Sequence, residues 1–267
     1  DPDHILNSLF EPDIAQIAGT TEYFDVAALP ELEAMLQDLR DHGFGVYVGD
    51  YYRADAQAVA LCESPEGPYR IEDKHGTYLV FEAENADAGL IFYPGGKVEY
   101  TAYAPLMEAL RQRGVTCVLC RMPFHLAVFR GNAADELQER FGGVAHWYIG
   151  GHSLGGVMAA DYAAKRPGAY EGLLLLASYC AVDLSGSGLK ALSVRGSEDG
   201  VLNEEAYAAH AADFPADTRE LVIEGGCHAC FGSYGAQKGD GVPTISREEQ
   251  ISLTADAAAA FMTEGRP

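Results

Sequence analysis

The sequence predicts an α/β fold: a mostly parallel central sheet with helices on both faces and an antiparallel hairpin at its start. Three observations lead there. Short apolar runs, such as 89–93, 115–119 and 172–177, alternate with stretches of helical length and pattern. These runs are almost wholly apolar rather than alternating, as strands covered on both faces are. The chain, 267 residues with 48% hydrophobic and 22% charged side chains, is long enough to bury such a core in one large domain.

Taken in order, residues 1–43 are expected to form a helical extension packing on the core, because Leu32, Met35, Leu36 and Leu39 share one helical face between Pro30 and Gly43. The main domain is expected over 44–267, opening with a strand at 44–48 and a helix at 54–62. Strands at 69–72 and 77–82 flank a Lys74-His75-Gly76 turn and read as a hairpin. A strand at 89–93 breaks at Pro94-Gly95-Gly96, and a helix over 100–112 ends at Gly114 before the strand 115–119. A polar helix is expected near 132–140, then a strand at 145–149 and an Ala-rich helix over 154–165. Strands at 172–177, 190–195 and 219–224 follow, with a helix at 204–212 between the last two. Ser246-Arg-Glu-Glu249 has the capping-box pattern and opens the final helix, which runs to 262.

Between the strand 145–149 and its helix lies Gly151-His152-Ser153-Leu154-Gly155. A serine between two glycines at a sharp strand-to-helix turn is lifted above the sheet edge, and a bulky residue at 151 or 155 would collide where strand and helix meet. The helix that follows aims its free N–H groups and positive end at the same point.

In a parallel sheet the loops after the strands gather along one edge. Ser153, Asp199 and His228 each follow a strand, and their types suit a nucleophile, an orienting acid and a base. A serine hydroxyl needs a base to take its proton; imidazole titrates in the right range, and a carboxylate fixes its tautomer. Glu198 and Asp183 are rivals to Asp199. For the oxyanion, the amide of Leu154 is one expected donor, and that of Gly96 or Lys97 the second.

Cys117/Cys120 and Cys227/Cys230 share the C-x-x-C spacing of zinc and redox motifs. Cys117 and Cys120 fall on a strand, where residues three apart face opposite sides and cannot share a metal. The second pair brackets His228, and a plain loop role is preferred over a metal or redox one. No metal or other cofactor is expected.

The formal charge of −22, from 18 basic and 40 acidic side chains, argues against nucleic acid and anionic lipid surfaces as partners. No run approaches the 18 or so apolar residues of a membrane span, and no basic-then-apolar segment opens the chain, so neither a span nor a retained signal peptide is expected. A cytoplasmic address is favoured without being fixed, and oligomeric state is not legible.

Tyr93-Pro-Gly-Gly-Lys-Val, Gly151-His-Ser-Leu-Gly-Gly156, Gly196-Ser-Glu-Asp-Gly200 and Gly225-Gly-Cys-His-Ala-Cys-Phe-Gly-Ser-Tyr-Gly235 resemble the successive signatures of the α/β-hydrolase superfamily. The likeness covers about 44–262 and is best to a bacterial, cap-less branch similar to dienelactone-hydrolase-like serine esterases. Dienelactone hydrolases proper use a cysteine, so Ser153 implies ester or thioester cleavage through an acyl-serine intermediate, with a small or medium carboxylic ester as substrate. The link 178–189 is too short for a cap, leaving 124–129, 231–243 or the N-terminal helix as cover. Tyr93, Phe124, His125, Tyr179 and Phe231 are the expected substrate walls, and Lys97, Arg121, His125 and Arg130 fall near the same edge. Acyltransferase or amidase chemistry uses the same parts. The contrasting reading is a non-catalytic binding module on the same fold.

Overall fold

The structure, a computed structural model, describes residues 50–264 apart from His75. The helix expected over 30–40 and the strand expected over 44–48 lie outside the described residues. The first described helix, α1, spans Ala56–Glu63, with Asp55 accepting the amide of Ala58 as its N-cap.

Strands β1 (Tyr69–Asp73) and β2 (Gly76–Phe81) form the expected hairpin, paired antiparallel from Tyr69 opposite Val80 to Asp73 opposite Gly76. Then come β3 (Ala88–Tyr93), α2 (Ala104–Arg111) and β4 (Val115–Cys120). After them lie β5 (His146–His152), α3 (Leu154–Ala164), β6 (Gly172–Leu176) and β7 (Lys190–Gly196). The short α4 (Glu204–Ala209), β8 (Asp217–Ile223) and the long α5 (Arg247–Thr263) complete the order. At the start of α5 the Ser246 hydroxyl accepts the Glu249 amide, as the capping-box pattern implies.

The eight strands lie in the order β1-β2-β4-β3-β5-β6-β7-β8. β2 joins β4 antiparallel, and every pairing from β4 to β8 is parallel. β3 and β6 are apolar throughout, and β4 apart from Thr116, because both faces are covered. One face carries Leu90, Phe92, Leu174, Leu176 and Val194, against Leu106 and Met107 of α2 and Ala255, Phe261 and Met262 of α5. With a period of two, Ile91, Ile149, Leu173 and Leu175 point to the other face. There α3 buries Val157, Met158 and Tyr162, whose ring lies 6.4 Å from that of Tyr93.

The polar helix expected near 132–140 is not formed. Those residues make turns and a single 3-10 turn at Gln138–Arg140, with Glu136 at a positive φ of 61°. Two strand tyrosines divert the backbone. The Tyr78 hydroxyl donates to the Ala133 carbonyl (3.1 Å); that of Tyr93 donates to the Gly131 carbonyl (2.9 Å) and accepts the Ala134 amide (3.0 Å). Groups that a helix would pair with itself are spent on the sheet. Residues 100–103 depart less, forming a 3-10 turn ahead of α2.

Candidate active site

β5 runs three residues further than its apolar run, through Gly150 and Gly151 to His152, and α3 begins at Leu154. Ser153 is the single residue between them, held at φ 50° and ψ −126°, a conformation that non-glycine residues rarely take. The surroundings over-determine it. Its amide donates to the Leu176 carbonyl at the end of β6 (2.9 Å), and its carbonyl accepts the Ser178 hydroxyl (2.8 Å). The flanking glycines are sterically required: a Cβ on Gly151 would lie 2.5 Å from the Gly155 carbonyl carbon, and one on Gly155 2.3 Å from the carbonyl oxygens of Tyr93 and Pro94.

His228 follows β8, and Asp199 follows β7. The two Asp199 oxygens stand 2.9 and 3.1 Å from Nδ1 of His228, and both side chains are 1% exposed. Asp199 also accepts the amides of Val201 (2.9 Å) and Leu202 (2.8 Å). Burial pushes this carboxyl up, but the hydrogen bond and charge of His228, with those two amides, prevail and hold it below its ordinary value. The rivals lie elsewhere: Asp183 accepts from Ser185, and Glu198 from the Ser197 hydroxyl.

The His228 ring lies beside the serine turn, its centroid 4.4 Å from that of His152. Among the described residues the Ser153 hydroxyl has no hydrogen-bond partner. The structure therefore joins His228 directly to Asp199 and brings the pair to the turn that carries Ser153.

The loop after β3 packs against the same turn, where a Cβ on Gly95 would lie 2.8 Å from His152 Nδ1. A Cβ on Gly96 would touch the Leu154 side chain at 3.2 Å, which puts this loop against the first turn of α3. Leu154 opens that helix, so its amide has no intrahelical acceptor. The amide of Lys97 donates to the His125 carbonyl (2.9 Å) and is spent; that of Gly96 has no partner among the described residues. Of the two expected second donors, Gly96 is the one left open.

The five expected wall residues divide. Tyr93 is fully buried, with its hydroxyl engaged as described, Phe231 is fully buried, and Tyr179 is buried and stacked on His210 at 5.2 Å. These three are buried, and the Phe231 ring packs 5.6 Å from that of His152. Phe124 and His125, at positive φ of 52° and 59°, line a cavity of about 320 Å³ against the β1–β2 hairpin, whose lining includes none of Ser153, Leu154, Gly96 and His228. Arg121 and Arg130 line it too, but so do Glu72 and Asp73, so its charge is mixed rather than cationic. Burial lowers the His125 imidazole below its ordinary value; Glu99 opposes this, and Arg121 and Arg53 reinforce it.

Three contributors carried no sequence signal that singled them out. Tyr103 binds both His152 Nδ1 and the Gly95 amide. Asp240 accepts the amides of His228 (3.2 Å) and Ala229 (2.8 Å) and that of Gly200 (3.1 Å), next to Asp199. Gln250 of α5, fully buried, accepts the Cys227 amide (2.9 Å) and donates to the Cys227 carbonyl (2.8 Å). Each is joined to its partners by a hydrogen bond that no local motif announces. Among the described residues no cluster of His, Cys, Asp and Glu could hold a metal ion, and no helix is long and apolar enough to cross a membrane.

A family model described as the alpha/beta hydrolase family matches residues 89–252. No curated protein matches the sequence. Among solved structures, Est1E from Butyrivibrio proteoclasticus is similar with a TM-score of 0.56 at 15% identity, over 74% of this chain and 98% of its own. A soluble variant of monoglyceride lipase from Saccharomyces cerevisiae gives 0.55 at 11% identity, over 75% and 96%. Dienelactone hydrolase from Anabaena variabilis gives 0.52 at 14%, over 73% and 97%. At these identities the likeness is one of fold.

Proposed function

The chain belongs to the alpha/beta hydrolase family, and from that premise we propose that it is a serine hydrolase cleaving small or medium carboxylic esters or thioesters through an acyl-Ser153 intermediate. One observation carries the reading: an imidazole, His228, held through Nδ1 by the buried carboxylate of Asp199, beside the strained turn of Ser153.

With Nδ1 committed to Asp199, Nε2 is the nitrogen that takes the Ser153 proton as Oγ attacks the carbonyl carbon. The carbonyl π pair moves onto oxygen, and the amides of Leu154 and Gly96 receive the charge. As the tetrahedral species collapses, the bond to the alcohol or thiol breaks, and His228 returns its proton to that leaving group. Water then repeats the sequence on the acyl-serine, releasing the acid. Serine rather than cysteine at the turn favours acyl esters, and the monoglyceride lipase among the similar structures supports that choice.

The test compares wild type with Ser153→Ala against a fluorophosphonate probe and p-nitrophenyl acetate and butyrate. Labelling and turnover confined to wild type are expected. Equal behaviour of the two proteins would point to the binding-module reading instead.

A further inference from the structure

The turn bearing His228 reads Cys227-His228-Ala229-Cys230, and its two cysteines meet. Their sulfurs stand 3.3 Å apart, the Cys227 thiol donating to Cys230. His228 has helical φ and ψ (−58°, −52°) and a 3-10 turn follows over Ala229–Phe231, which brings side chains three residues apart onto one side. The main chain is clamped on both flanks, by Gln250 at Cys227 and by Asp240 at His228 and Ala229. A disulfide places its sulfurs about 2.05 Å apart, so closure asks for a movement of only about 1 Å in two side chains.

We propose that Cys227 and Cys230 are a modification site: a dithiol that a small disulfide such as oxidised glutathione converts reversibly into an intramolecular disulfide around His228.

The two thiols have different tasks. Cys230 is half-buried and within reach of solvent, whereas Cys227 is buried. The hydrogen bond from Cys227 holds the Cys230 thiol below its ordinary value against burial and the charges of Asp240 and Glu248, and Arg247 assists. The same bond, with burial, pushes Cys227 up. Cys230 is therefore the nucleophile. Its thiolate attacks one sulfur of oxidised glutathione, forms a mixed disulfide and expels a glutathione thiolate. Cys227 gives its proton to that thiolate and attacks Sγ of Cys230, expelling the second glutathione. Two protein thiols are oxidised, and one glutathione disulfide is reduced to two thiols. The remaining cysteines do not compete: Cys117, Cys120 and Cys180 are buried, and burial pushes Cys62 up to about 11.

The experiment exposes the reduced full-length protein to oxidised glutathione, followed by denaturing thiol titration and intact and peptide mass measurement. Wild type is expected to lose two of its six thiols and about 2 Da, with the cross-link in the 227–230 peptide and reversal by dithiothreitol. Cys227→Ser should retain one glutathione on Cys230, and Cys230→Ser should react at neither position. Six thiols remaining in wild type, or cross-links only between chains, would overturn the proposal; an adduct on Cys227 in the Cys230→Ser protein would overturn the division of tasks. Ser153→Ala should form the same disulfide, since nothing here depends on ester cleavage.

Discussion

The phenol oxygen of Tyr103 stands 2.8 Å from Nδ1 of His152, and it accepts the amide of Gly95 at 3.0 Å. One phenol oxygen is therefore tied both to a main-chain amide and to an imidazole nitrogen. The residue before the nucleophile and the loop before Gly96 thus hang on one hydroxyl. Tyr103→Phe should lower kcat for p-nitrophenyl butyrate about tenfold, with KM little changed, and should cost about 1–3 kcal/mol of stability because two buried partners lose their bond. Steady-state kinetics and urea unfolding check both.

Asp199→Asn should leave the fold intact and lower kcat by about 10⁴-fold, since the amide presents the wrong hydrogen-bonding group to Nδ1 and no longer steadies the imidazolium. Asp183→Asn should leave turnover unchanged, because among the described residues that carboxylate accepts from Ser185 alone. Parallel kinetics on the two variants separate the roles.

Acid should unfold the protein in two stages. Burial, reinforced by the charge of His228, drives the His152 imidazole well below its ordinary value. The unfolded chain therefore binds a proton that the folded chain refuses, and stability falls as pH drops below about 6.5. The lowered carboxyl of Asp199 acts the same way further down: its contribution is full above the ordinary carboxylate range and is lost as pH falls through the folded value. Urea titrations at stepped pH should show a shallower slope below pH 6.5 or so for His152→Gln, and a loss of only the lower stage for Asp199→Asn.

Gly155→Ala should destabilise by about 3 kcal/mol or more, because the new methyl would lie 2.3 Å from two backbone carbonyl oxygens that cannot rotate away. Gly186→Ala meets nothing within 4 Å and should be neutral. Equal melting temperatures for the two would contradict this account of the serine turn.

Much of the sheet was legible because strands covered on both faces announce themselves as apolar runs, α3 as an Ala-rich stretch of helical length, and the start of α5 by its capping box. The turn at Ser153 was legible for a related reason: strand, glycine, serine and glycine are neighbours in sequence as well as in space. Where distant residues decide, sequence was silent. The 132–140 segment has a helix-like composition, yet hydroxyls from Tyr78 and Tyr93 claim its carbonyls and one of its amides. Tyr93, Tyr179 and Phe231 have the chemistry of a binding wall, and only their depth assigns them to the interior. Nothing near Lys97 foretold that the carbonyl of His125 would occupy its amide.

Asp240 touches the loop of Asp199 through Gly200 and the loop of His228 through two further amides. One short side chain therefore sets the spacing of two loops that arise from different strands, much as a keystone fixes both halves of an arch. Lengthening 231–243 beyond its present course would draw that carboxylate away and let acid and base part company, although neither had been altered. Diversity among related chains in this stretch should accordingly lie around the exposed Gly235 and Ala236, while its attachment to the two loops stays put.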